Sequence, residues 1–466
     1  MEQKTKLKFW SIVLLTINSI IGTGIFLSPG GVAKQAGSMA PFIYICAAVF
    51  AVILAITFAS ASKYTRESGA AYAYVRTAFG DNAGLYVGIT RFVSASIAWG
   101  VMATGVIKTV FQILGYKSDQ ITFGMQTVGF IILMIVLFIV NVMGTKIFSL
   151  VSNLSTIGKC VALVIAILAG IVIAMMTGNH MAEVDALVND AGAKLVPDMT
   201  VTNFVTALVA AFYAFTGFES VASGAEDMEE PEKNLPRAIP VAIGIVAAIY
   251  FGIILTAMMI DPVAMVTSSS VVVLADVFQN PVIRNIVIIG AFISMFGINV
   301  ASSFHTPRLL EAMAHRKQVP AMFAKRNAKD IPVNAFIITT LVAIVIPMAF
   351  GYDMKGIMII STIARFVQFI LVPISVIMFY YGKTKNPTIA SAKKNYFTDV
   401  VVSVLSLVLT ALLLVKFNWA GSFSTTTEAG TTLNYFAIVS MVIGYVVIPI
   451  LVYYYANANK MEQTNG

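Results

Sequence analysis

The sequence predicts an all-α membrane protein, two of whose helices are interrupted at membrane depth. Three observations point there: a composition too apolar for a water-soluble domain, a succession of apolar runs long enough to cross a bilayer, and glycine-bearing weak spots at matching places in the two halves. Of 466 residues, 58% are hydrophobic and 11% charged, and the mean hydropathy is +0.87. Soluble domains carry roughly 25% charged residues, and about 20 consecutive apolar residues span a bilayer. The bulk of the chain is therefore expected in lipid.

Twelve spans are expected, beginning near Phe9, Met39, Gly84, Ile121, Leu150, Asn203, Ala238, Val282, Ile331, Gly356, Phe397 and Leu433. The first is too long for a signal-peptide core and lacks a small-residue cleavage site, so it is read as retained. The connections are too short to hold a soluble domain. With the N-terminus inside, the cytoplasmic segments hold Lys4, Lys6, Lys8, Lys63, Arg66, Arg76, Lys146, Lys233, Arg237, Arg308, Arg316, Lys317, Lys325, Arg326, Lys329, Lys383, Lys385, Lys393, Lys394 and Lys460. The outer segments hold only Lys34, Lys117, Lys194, Arg284, Lys355 and Lys416. This bias places both termini in the cytoplasm. It also accounts for the net charge of +8 without nucleic-acid binding, because the basic residues are scattered among loops and accompany no recognition motif.

Cys46 and Cys160 fall inside spans and read as lipid-buried thiols. His180, His305 and His315 are too far apart for metal-ligand spacing, so no metal and no cofactor are expected. There is no G-x-S-x-G, P-loop or Rossmann fingerprint, so no enzymatic reaction is expected either.

The first break is Ile20-Ile21-Gly22-Thr23-Gly24-Ile25-Phe26, inside an otherwise good span. Glycine costs about 1 kcal/mol relative to alanine in a helix interior. A second weak spot is Phe212-Tyr213-Ala214-Phe215-Thr216-Gly217-Phe218-Glu219-Ser220, roughly 190 residues later, with an ionisable group at membrane depth. Paired, glycine-interrupted segments at corresponding positions point to a transporter built from repeats. Five spans per half is an odd number, so the second repeat is inverted. Unwound backbone within a membrane is tolerated only beside a cavity. Amides at a positive half-helix end suit a carboxylate, and freed carbonyls suit an ammonium group. A zwitterionic α-amino acid presents both. The plainer alternative is that Gly22, Gly24 and Gly217 only permit close helix packing.

The chain resembles the amino acid–polyamine–organocation superfamily, specifically a bacterial-type amino acid permease. Three motifs carry the resemblance: Ile20 to Phe26; Glu67-Ser68-Gly69-Ala70-Ala71-Tyr72-Ala73-Tyr74 with Ala78-Phe79-Gly80; and Phe215-Thr216-Gly217-Phe218-Glu219, continuing through Ala225-Glu226 to Asn234-Leu235-Pro236-Arg237-Ala238. The resemblance implies a ten-helix inverted-repeat core plus two C-terminal helices. It divides the chain into a cytoplasmic N-terminus (1–8), a first repeat (9–176), an outer loop (177–202), a second repeat (203–381), a cytoplasmic loop (382–396), helices 11 and 12 (397–455) and a cytoplasmic C-terminus (456–466). It also implies substrate-carboxylate contacts at Thr23 and Gly24, ammonium contacts at the carbonyls of Ile20, Tyr213 and Thr216, and Tyr213 as the aromatic cover. Two departures stand out: Ala314-His315-Arg316-Lys317 before Gln318-Val319-Pro320, and His305 where a small residue is common.

Charges at membrane depth are functional candidates. In sodium-independent relatives a lysine at the place of Lys159 stands where other members of the fold hold sodium. Lys159 is thus a proton-coupling candidate or a fixed cation anchoring the broken helix, and Glu219 is a second coupling candidate. Ser302 and Ser303 resemble hydroxyl ligands of a sodium site, which keeps a sodium-coupled reading open. Arg365 is expected either to pair with Glu219 or to read an acidic substrate, while Arg91 and Lys108 are expected to snorkel.

The expected function is alternating-access transport of amino acids, most simply neutral ones, in the plasma membrane. Coupling is to protons, or is sodium-independent exchange, with no obligatory protein partner. Acidic amino acids or polyamines remain alternatives. So does a membrane sensor or channel, although no selectivity-filter sequence is present.

Overall fold

The first apolar run folds as two helices, α1 (Phe9–Ile20) and α2 (Gly24–Ala36). Ile21 turns extended (φ −72°, ψ 94°), so Gly22 and Thr23 lie outside both. The computed structural model describes residues 8–65, 70–142, 145–189, 192–221, 228–268, 270, 272–327, 331–349, 352, 361–362, 365–382, 389, 392–427 and 430–465. Lys4, Lys6, Arg66, Glu67, Ser68, Gly69, Ala225, Glu226, Lys329, Lys355, Lys383, Lys385 and the span start near Gly356 lie outside the described residues.

After the first break come α3 (Ala40–Tyr64), the short α4 (Ala71–Phe79), α5 (Asp81–Ile113), α6 (Phe123–Val142) and α7 (Thr145–Thr177). The second interrupted run is α8 (Val201–Tyr213) and α9 (Phe218–Val221). Then follow α10 (Pro231–Ile260), two short helices α11 (Pro262–Thr267) and α12 (Val273–Asp276), and α13 (Pro281–His315). The chain ends with α14 (Val333–Ala349), α15 (Phe366–Tyr380), α16 (Val402–Lys416), α17 (Trp419–Ser422), α18 (Tyr435–Val442) and α19 (Ile448–Asn465). Thr200, Asp261 and Asn280 cap α8, α11 and α13 with side-chain oxygens on their first amides.

Among the described residues, nine helical segments are long and apolar enough to cross a membrane, with Phe9–Ile20, Val333–Ala349 and Phe366–Tyr380 as shorter apolar helices. Burial sorts them. The apolar window of Asp81–Ile113 is 78% buried inside the protein, against 28% for Phe123–Asn141 and for Asn153–Thr177 and 17% for Ala437–Ala458. The first belongs to the interior and the others form an apolar rim.

One feature departs from the all-α expectation. Between α17 and α18, β1 (Ser424–Thr427) pairs antiparallel with β2 (Gly430–Leu433). The segment is rich in threonine, whose β-branch favours extended backbone over helix.

At the centre α2 packs along α8 and α1 against α9, so the two interrupted helices run antiparallel with their breaks apposed. Glycine makes this approach feasible at two points. A Cβ on Gly24 would lie 2.5 Å from the Ala214 Cα, and one on Gly217 would run into the Ser19 carbonyl oxygen. Gly217 also adopts φ +117°, a conformation that side chains resist. The helices α3, α10 and α13 pack against this pair, and α5 comes near it where Gly105 faces Thr23.

Candidate functional site

The first break exposes amides and hides all but one of its carbonyls, that of Ile20. Among the described residues, the N–H groups of Gly22, Thr23, Gly24 and Ile25 donate no hydrogen bond, and all four residues are buried. They stand at the N-terminus of the 13-residue α2, where the helix dipole is positive. Thr23 occupies the N-cap position without capping through its side chain. It meets the Tyr213 hydroxyl instead.

Side chains of two neighbouring helices take up the carbonyls that this break frees. Lys159 on α7 is fully buried, and its ammonium donates to the Asn18 carbonyl at 3.1 Å and the Ile21 carbonyl at 2.5 Å. Ser294 on α13 donates to the Gly22 carbonyl at 3.1 Å and more weakly to that of Ile21 at 3.4 Å. Lys159 therefore lies against the break, and carbonyl oxygens, not a carboxylate, hold its charge.

The second break is built the other way. The amides of Ala214, Phe215 and Thr216 bond three residues back, to Ala211, Phe212 and Tyr213, at 2.9–3.2 Å. The Gly217 amide donates to Glu219 at 2.8 Å. Tyr250 on α10 donates to the Ala214 carbonyl at 3.1 Å. Of the three carbonyls singled out from the sequence, that of Tyr213 already accepts both the amide and the hydroxyl of Thr216. Those of Ile20 and Thr216 accept no hydrogen bond among the described residues.

Glu219, 1% exposed, sits between two guanidinium groups. Arg365 pairs with its Oε1, and Arg91 donates to the same oxygen at 3.2 Å and to the Ser220 hydroxyl at 2.8 Å. The expected Glu219–Arg365 pair is thus present. Arg91 does not snorkel: it lies well inside the 33-residue α5 and turns inward to this carboxylate. Lys108 also turns inward, donating to the Tyr352 carbonyl at 2.8 Å.

Ser303 is engaged away from the break. Ser303 donates to the Val300 carbonyl and accepts from Asn141, both at 2.7 Å. The serine of α13 that reaches the first break is Ser294, nine positions before Ser303 and about 13 Å up the helix.

Comparison with known proteins gives these features a family. The model of the amino acid permease family matches residues 7–448. The chain belongs to this family. This permease is 38% identical to an uncharacterised transporter of Mycobacterium tuberculosis over 96% of its own length and 94% of the relative's. It is 28% identical to the serine/threonine exchanger SteT of Bacillus subtilis, covering 66% of this chain and 67% of that one. With the branched-chain amino acid permease BcaP of Lactococcus lactis it shares 26% identity over 72% and 74% of the two chains. The permease is thus a multi-pass membrane protein.

Three residues of the site escaped the sequence reading: Arg91, Tyr250 and Ser294. Arg91 carried a signal, as a charge at membrane depth. Ser294 carried none, because a serine hydroxyl inside an apolar helix bonds to its own backbone as readily as to a neighbour's, and Tyr250 carried none, because an aromatic side chain within a span reads first as packing.

Proposed function

We propose that this permease carries L-amino acids across the cell membrane by alternating access, gripping the substrate's backbone between the two breaks. The observation that supports this most directly is the row of four buried amides at the start of α2, facing a break whose amides are already bonded. On this reading the α-carboxylate docks on the amides of Thr23 and Gly24. The α-ammonium docks on the carbonyls of Ile20 and Thr216, near that of Tyr213, and Tyr213 covers the ligand. The antiparallel breaks fit a core of two inverted five-helix repeats within twelve spans, with both termini cytoplasmic.

Neutral substrates are favoured. The relatives whose names specify them include a serine/threonine exchanger and a branched-chain permease, and Glu219 already engages both buried arginines nearby. Lys159 is the proposed coupling group, since its ammonium is held by the carbonyls of the broken first helix, which alternating access would displace. Lys159 protonation would then link proton and substrate fluxes; the second reading is sodium-independent exchange, with Lys159 a fixed cation.

A thermal-shift screen of the purified protein against the standard amino acids tests the grip, because ligand binding raises apparent stability. Active amino acids should lose their effect as methyl esters, which lack the carboxylate. Equal stabilisation by acid and ester would overturn the amide cradle. Orientation is checked separately: single cysteines in 179–197 should react with an impermeant thiol reagent from outside, and cysteines in 316–329 should not.

A further inference from the structure

A cavity of about 600 Å³ opens on the rim between α5, α6 and α13, away from the two breaks. Val106 and Val110 line it from α5, Val128 and Ile132 from α6, and Phe292 and Phe296 from α13. Two glycines of α6 shape it. A Cβ on Gly124 would meet nothing within 4 Å, while one on Gly129 would come 2.9 Å from Ile107. The α6 wall faces outward, with Val128 58% and Ile132 57% exposed.

The lining is made of apolar side chains and glycine backbone, within segments long and apolar enough to cross a membrane, so a water-phase ligand has nothing to bond there. From Gly124 to Val136 the groove follows about 18 Å of helix. That is close to half of a hydrocarbon core of about 30 Å, the depth of one leaflet. A single alkyl chain is slim enough to lie in the groove. Beyond the Phe111 and Gly124 end of the lining, the turn between α5 and α6 carries the exposed cation Lys117, suited to a headgroup phosphate, together with the exposed Asp119.

The groove lies one layer behind the first break. Ser294, which holds the Gly22 carbonyl, stands between Phe292 and Phe296 in sequence. Its neighbour Met295 packs on Gly105, and Gly105 in turn lies against Thr23. We propose that this groove binds one acyl chain of a membrane phospholipid, and that the bound chain steadies α13 so that Ser294 keeps its hold on the first break. The binding claim stands apart from the transport reading; the link to the break rests on it.

The test uses the full chain, delipidated in mild detergent and titrated with palmitoyl-oleoyl phosphatidylglycerol, with bound lipid counted by native mass spectrometry. One lipid should survive activation that strips the rest. Gly124→Leu and Ile132→Trp, which fill the groove, should cut its retention at least ten-fold. Ile131→Trp, on an exposed residue outside the groove, should not. Equal retention in all four proteins, equal loss in all three variants, or a lipid-free dimer in place of the adduct would overturn the site. In liposomes of the same lipid, the filling variants should change initial uptake by about two-fold or more, the usual scale of indirect coupling. Lost retention with unaltered uptake would overturn the link to the break and leave the lipid site standing.

Discussion

The two breaks begin from the same weakness, glycine in an apolar helix, and end with opposite polarity. At the first, Lys159 and Ser294 take the carbonyls of Asn18, Ile21 and Gly22, leaving that of Ile20, and the amides stay open. At the second, turn bonds and Glu219 take the amides, and the carbonyl of Thr216 stays open. A donor face and an acceptor face side by side match the two ends of a zwitterion. The neighbours that occupy the complementary groups create this difference, since unwinding alone frees both kinds of group equally. Residues behind the breaks should therefore matter as much as the breaks themselves.

Breaking the apposition itself should have the largest effect. Gly217→Ala sets a methyl group against the Ser19 carbonyl at a φ of +117°. Steric overlap with backbone combined with a disfavoured conformation is expected to cost roughly 4 kcal/mol or more. Gly22→Ala is the control, because its methyl would meet only the Ile298 side chain, at 3.2–3.4 Å. Thermal unfolding in detergent should show a large drop for the first and a small one for the second. Similar drops would mean that the close approach of the breaks is not what their glycines serve.

Next in size is Glu219→Gln. It leaves Arg91 and Arg365 facing a neutral amide in a buried site, and removing one partner of such a cluster costs about 3–5 kcal/mol. Glu219→Gln should therefore destabilise more than Arg91→Gln, which leaves the carboxylate one guanidinium partner. The reverse order, read from denaturation midpoints, would show that Glu219 is not the centre of the cluster.

Lys159→Ala acts on the first break alone. It strips the Asn18 carbonyl of its donor and leaves the Ile21 carbonyl only the weaker Ser294 bond, at about 1–3 kcal/mol for a buried group left unsatisfied. If the lysine couples protons, uptake into liposomes should lose its response to an imposed pH gradient while some binding persists. A parent protein indifferent to the gradient would remove proton coupling and leave the lysine as an anchor. Stimulation of the parent by sodium would take coupling away from Lys159 altogether.

Much of this was legible in the sequence, and the exceptions share a cause. Both breaks were readable because glycine and mid-membrane charge are costly and so stand out against an apolar background. Lys159 and the Glu219–Arg365 pair were readable for the same reason. Position along a helix was harder to judge. Ser302 and Ser303 were the conspicuous hydroxyls of α13, yet Ser294 reaches the break, because axial register between long helices is set by packing that no local pattern encodes. Arg91 looked close enough to a span end to snorkel, but α5 begins at Asp81 and the arginine lies well within it. The threonine hairpin was hidden by its place in a loop too short to suggest structure of its own.

The finest comparison sets one hydrogen bond against another. Ser294→Ala removes the hydroxyl holding the Gly22 carbonyl, and Tyr250→Phe removes the one holding the Ala214 carbonyl. Each loses a single buried bond, so each should lower stability by about 1 kcal/mol, and equilibrium unfolding should scarcely tell them apart. Substrate binding should. Ser294 fixes the peptide unit whose amide belongs to Thr23, the first donor assigned to the carboxylate, so its loss loosens the donor face. Tyr250 fixes a carbonyl whose peptide partner, the Phe215 amide, is already bonded within the turn at 2.9 Å. Ser294→Ala is thus expected to raise the uptake KM for every amino acid, by several-fold, with little discrimination among side chains. Tyr250→Phe should leave KM near the parent value. A larger KM change in Tyr250→Phe would mean that the donor face is not the more finely positioned of the two, and the assignment of carboxylate to the first break would fail with it.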